Sequence, residues 1–129
     1  MTVRAGLLVG ALAAVLLPGC HSSSLATVHG RVTCHGKPVP EAGVIFSPMP
    51  KAEGDREAGK AASGSTDADG RFVLTTYKTG DGALIGKHRA SVILDNAKPS
   101  PCGQSKLVQV EVKPGDNEIN IEMSDPNPH

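Results

Sequence analysis

The feature that most restricts this chain is an alternation of apolar and polar side chains, in short runs, between Thr27 and Met123. Val28, Gly30 and Val32 alternate with His29 and Arg31, and Ala42, Val44 and Phe46 form the next run. Phe72 and Leu74 oppose Arg71 and Val73, while His88, Ala90, Val92 and Leu94 share one side. Val108, Val110 and Val112, then Ile119, Ile121 and Met123, close the series. A period of two sends successive side chains to opposite faces of a strand, so each run buries one face and wets the other. No segment of this region keeps helical spacing. About seven strands are expected, over 27–33, 42–46, 61–66, 71–75, 88–94, 106–112 and 118–123. Strands this short, with no helix to cover them, suit a sandwich or a barrel, since an open sheet with one apolar face must bury it on something. The predicted fold class is an all-β antiparallel β-sandwich.

Turn chemistry separates the runs. Cys34-His35-Gly36-Lys37-Pro38 and Lys113-Pro114-Gly115-Asp116 each gather residues that favour reversal. At Asp67-Ala68-Asp69-Gly70, the Asp67 and Asp69 side chains can accept from nearby backbone N–H groups, and Gly70 accepts positive φ. This predicts a structural turn, a tight hairpin joining 61–66 to 71–75. Longer connections fall at 47–60, 76–87 and 95–105. With two Phe, one Tyr and no Trp, the core has to come mainly from Val, Ile, Leu and Ala.

Residues 1–19 do not belong to that pattern. Met1–Arg4 is weakly basic, and 6–17 is an apolar run of Gly, Leu, Val and Ala, too short for a comfortable permanent span but suited to a helical secretory signal peptide. Leu17-Pro18-Gly19-Cys20 resembles the lipobox of bacterial lipoproteins. The resemblance implies cleavage before Cys20, a diacylglyceryl (palmitate-type) modification of its sulfur, and a membrane anchor. Two or three acyl chains make a stable anchor where one does not. The expected organisation is a leader over 1–19, a lipid-anchored tether over 20–26, one domain over 27–123 and a flexible tail over 124–129. Removing nineteen of 129 residues leaves 110, enough for one domain. His21, rather than Asp, follows the lipidated cysteine, which favours the outer over the inner membrane of the cell envelope.

Export also bears on Cys34 and Cys102. An even leftover pair in an oxidising compartment raises the expectation of a disulfide. Two free thiols on separate loops are the alternative, and geometry decides between them.

Val28-x-Gly30-x-Val32-x-x-x-Gly36-Lys37-Pro38-Val39-x-x-Ala42-x-Val44-x-Phe46 resembles the opening of carboxypeptidase regulatory-like domains. Thr66-Asp67-Ala68-Asp69-Gly70-Arg71-Phe72-x-Leu74 is similar to their central hairpin, and Gly86-Lys87-His88-Arg89-Ala90-Ser91-Val92 to a later strand. His88 and Ala90 stand where that family usually has Tyr and Val. The resemblance spans 27–123 and implies a transthyretin-like, Greek-key arrangement. The lipobox-plus-domain organisation is similar to short lipoproteins frequent in Planctomycetes.

No catalytic set is legible. Gly64-Ser65-Thr66 is not a nucleophile elbow, and Cys34 and His35, as neighbours on a strand, are expected to face opposite ways. No metal site is expected: Asp67 and Asp69 supply too few oxygens for calcium, and the five histidines lack zinc-like spacing. No cofactor is expected. Only Arg4 is charged in the leader, so the rest carries twelve basic against thirteen acidic residues, a balance that offers nucleic acid no footprint. The expected function is a membrane-anchored, non-enzymatic structural or protein-interaction module with an envelope protein as partner. The alternative is a small-ligand module, for carbohydrate or glycan, using the 47–60 and 95–105 loops with Tyr77.

Overall fold

In a computed structural model of the protein, residues 24–50, 59–95 and 100–124 are described. The expected leader over 1–19, Cys20 and the expected tail beyond Ser124 lie outside them. The strands are β1 (Leu25–Cys34), β2 (Lys37–Pro38), β3 (Gly43–Pro48), β4 (Ala62–Ser65), β5 (Arg71–Val73), β6 (Ala83–Leu84), β7 (Gly86–Ile93), β8 (Ser105–Val112), β9 (Asp116–Glu118) and β10 (Ile121–Glu122). The fold is all-β, built as two sheets. β4-β3-β7-β8 form one, antiparallel throughout, and β1 is the spine of the other.

Along one edge β1 pairs antiparallel with three short segments: β6 at Leu25 and Ala26, β5 at His29 to Arg31, and β2 at Thr33 and Cys34. Along its other edge β9 and β10 run parallel to it. A single ten-residue strand therefore holds together five segments that are individually too short to persist.

The alternating residues meet between the sheets. Val28, Val32, Phe72 and Leu74 face Val44, Phe46, Ala90 and Val92, all essentially without solvent contact. The Phe46 and Phe72 rings lie 6.4 Å apart across the interface. Each Val, Leu or Phe among them contributes roughly 1.5–3 kcal/mol by leaving water. The edge next to β8 is less tightly closed, and Val108 and Val110 are half-buried.

Three expectations need correction. First, β1 begins at Leu25, so the last two residues of the expected 20–26 tether are sheet, paired with Leu84 and Ala83. Second, the turn at Asp67–Gly70 forms, but its arms part: β4 joins β3 while β5 joins β1. Only Ser63 and Thr75 bridge them, through two backbone hydrogen bonds of 2.9 Å. Close approach of the Val73 carbonyl to Gly64, which a side chain would block, brings the arms together there and stitches one edge of the sandwich. Third, the 76–87 connection contains β6, too short for its period to show in sequence.

The ten residues of β1 set the long axis, about 30 Å at strand rise. One end of the sandwich carries Leu25, β6, the start of β7 and the turn after β8. The other carries Cys34, the end of β7 and the start of β8.

Candidate functional site

At the Cys34 end, His35 and Gly36 both take positive φ, 53° and 79°, giving the two-residue reversal that lays β2 back on β1. Cys34 is disulfide-bonded to Cys102, with Cα atoms 6.0 Å apart, which ties the β7–β8 connection to the end of β1. Beside the bond lies a hollow of about 350 Å3 with apolar walls from Pro38, Val39, Leu94 and Pro101. Lys37 and Glu41 are at its rim. The ligand atoms of Cys34, His35 and Cys102 fall within 4.8 Å of one another, contrary to the expectation that Cys34 and His35 face apart. Their sulfurs are joined to each other, so the trio presents one imidazole and no thiolate.

The Asp67 turn is near the same end. Asp67 Oδ1 accepts from the backbone N–H groups of Asp69 and Arg71, both at 2.9 Å. The Arg71 N–H bond is the main reason that carboxyl titrates below its ordinary range. Gly70, at φ 76°, lies against the Val32 carbonyl and Pro38. Asp67 Oδ1 is thus spent on backbone N–H groups, as a tight turn requires.

The outer face of the β1 sheet is polar. Thr27 Oγ1 donates to Asp116 Oδ1 at 2.6 Å, and His29 Nε2 lies 3.0 Å from Asp116 Oδ2. Those contacts, Thr27's first, lower the Asp116 pKa. Further along, the hydroxyls of Ser124 and Thr33, with the backbone N–H groups of Ser124 and His35, hold Glu122 down to about 2. Between these carboxylates Arg31 and Arg71 are directly opposed across β1 and β5. Such like-charged pairs oppose pairing by tenths of a kcal/mol.

The Leu25 end carries the 76–87 connection, whose internal order the sequence did not show. Asp81 accepts backbone N–H bonds from Thr76, Tyr77 and Lys78, at 2.7–3.0 Å. Burial works against its ionisation, but the three N–H groups prevail and its pKa is lowered. Thr76 Oγ1 donates to the Gly82 carbonyl, and Gly82 packs on Ala26. The loop is thereby fixed with the Tyr77 ring outward, 63% exposed, and Lys60 Nζ 4.9 Å from its centroid. Leu25, Thr27, Tyr77, Lys78 and Gly115 border a hollow there of about 560 Å3.

Among the described residues the histidines do not converge. His29 is on the outer face, His35 at the Cys34 end, and His88 in the core, where its Nε2 donates to the Leu84 carbonyl at 2.6 Å. The described ends of the two loops assigned to a ligand also lie apart. The 47–60 loop leaves the sheet beside His88 and the 95–105 loop leaves after Ile93, partners of Pro48 and Gly43. Five residues of β7 put about 17 Å between those points. Their described ends therefore form no shared pocket, and Tyr77 sits with the first loop only.

These features define a β-sandwich domain with two dissimilar ends and a polar outer face. No family model and no curated protein matches the chain. Among solved structures it is similar to a DUF3823 family protein from Parabacteroides merdae, at 20% identity and a TM-score of 0.48. That match covers 75% of this chain and 44% of the other, so the chain spans less than half the length of that protein.

Proposed function

We propose that the chain is an exported lipoprotein, anchored through Cys20, whose β-sandwich serves as a non-enzymatic interaction module of the cell envelope. The observation that carries this reading is the order and spacing of its parts. An apolar leader stops at Leu17-Pro18-Gly19-Cys20, and β1 begins at Leu25. Five residue steps reach at most about 18 Å. An anchor at Cys20 would hold the Leu25 end near the bilayer and display the Cys34 end, with its apolar hollow and disulfide, about one strand length further out.

The carboxypeptidase regulatory-like resemblance agrees with this reading, since what those matching residues encode is a shape. β8 supplies a mode of attachment for an envelope protein. It is eight residues long, pairs with β7 on one edge, and has no strand on the other among the described residues. Such an edge accepts an extended segment of another chain. The test is Cys20→Ser expressed in the native host with radioactive palmitate. Loss of label and transfer from detergent phase to aqueous phase support the proposal. Unchanged label or unchanged membrane retention contradicts it.

A further inference from the structure

We infer that the Leu25 end is a membrane-contact face, on which Tyr77, Lys60 and Lys78 engage phospholipid headgroups; this rests on the proposed anchor at Cys20. The tether is the first reason. With Cys20 held at the bilayer surface, Leu25 lies within about 18 Å of it, so the loops around Leu25 are the part of the domain within reach of headgroups.

The chemistry of those loops is the second reason. Tyr77 is the chain's single tyrosine and one of its three aromatics, and its ring is largely exposed to solvent. An aromatic body with a polar tip suits the membrane–water interface. Lys60 lies over that ring and Lys78 follows it directly. Among the described residues neither makes an ion pair; the carboxylates of that end, Asp81 and Asp116, are held by backbone N–H groups and by Thr27 and His29. Lys113 adds a third cation on the adjacent turn. Each lysine near an anionic surface is favoured by about 1 kcal/mol, an attraction that fades within a Debye length.

Rigidity is the third reason. The Asp81 bonds, with Gly80 N–H donating to Thr75 Oγ1 and Thr76 Oγ1 to Gly82, fix the loop before any lipid is met. Little ordering entropy remains to oppose docking. Acyl chains at Cys20 alone would set no tilt for the domain, whereas contact at Tyr77 and the two lysines fixes it. The Cys34 end then faces away from the membrane.

The absence of tryptophan makes this measurable. Tyr77→Trp and, as a control at the far end, Lys37→Trp each install a single fluorophore in the full, lipidated protein. Both are reconstituted into phosphatidylcholine–phosphatidylglycerol vesicles whose acyl chains are brominated near the headgroup. The inference expects about a twofold loss of Tyr77→Trp emission and little loss for Lys37→Trp, as for an interfacial indole against a distant one. It also expects Lys60→Glu with Lys78→Glu to abolish the difference. Acyl label with equal, weak quenching at both positions overturns the membrane-contact face and leaves the anchor standing. Absence of acyl label from the same preparation overturns both.

Discussion

The backbone carbonyl of Ile119 occupies the space that any side chain on residue Gly30 would need. That carbonyl turns toward β1, so the Arg31 N–H is met instead by the Asn120 side chain at 2.9 Å, while Ile119 N–H still donates to the His29 carbonyl at 2.8 Å. Gly30 and Asn120 act together to let β9 and β10 run on as one interrupted edge. Gly30→Ala should therefore push that edge off β1 and cost about 2–4 kcal/mol. Asn120→Ala should cost less, about 1 kcal/mol, because the exposed N–H left behind finds water. Urea unfolding followed by circular dichroism checks both values, and their order.

A second prediction concerns Thr66, which holds the end of β4 to the entry of β3. Its buried hydroxyl accepts from the Ala42 N–H at 2.8 Å, and its own N–H donates to the Ala42 carbonyl at 2.9 Å. Thr66→Val keeps the shape and removes the acceptor, leaving a buried N–H unpaired. A loss of about 1–3 kcal/mol is expected. Thr66→Ser should recover most of it.

The Cys34–Cys102 bond closes a loop with a sequence separation of 68 residues. In the chain-entropy description, a loop of that length stabilises the fold by about 4 kcal/mol. Cys34→Ala with Cys102→Ala should lower stability by an amount of that order, read as the shift of the urea midpoint. A non-reduced digest should contain the linked peptides, and free thiols at both positions would refute the pairing.

Acid should weaken the fold through its hydrogen-bonded carboxylates. Glu122 is held at about 2 against an ordinary value of 4.5. Its folded pKa is the lower one, so its stabilisation is complete above pH 4.5 and is lost as pH falls toward 2. Asp67, Asp81 and Asp116 are lowered as well and act in the same direction. Glu122→Gln should flatten the pH dependence in that window and leave the neutral-pH slope unchanged. Denaturation midpoints between pH 2 and 7 measure it.

Much of this architecture was legible because alternation is a local signal. Val28, Val32, Val44, Phe46, Phe72, Leu74, Ala90 and Val92 fall on the buried face their period assigns them. What escaped depends on contacts far apart in sequence. Nothing near Asp67 states that β4 and β5 leave for different sheets, since that choice is made by β3 and β1. β2 and β6 are two residues each, shorter than a period. The loop around Tyr77 read as a Gly-rich connection, because its order comes from one carboxylate, Asp81, collecting three N–H groups. A clue was present in Asp81-Gly82 following an aromatic and a lysine, but only the fold puts that stretch beside Leu25.

The anchor at Cys20 is the claim from which the orientation of the whole domain follows, and the mass of the mature amino terminus tests it most directly. Protein purified from the membranes of its host should yield an N-terminal peptide beginning at Cys20 and carrying a thioether-linked diacylglyceryl group. An amino terminus elsewhere, or an unmodified Cys20, would contradict the account.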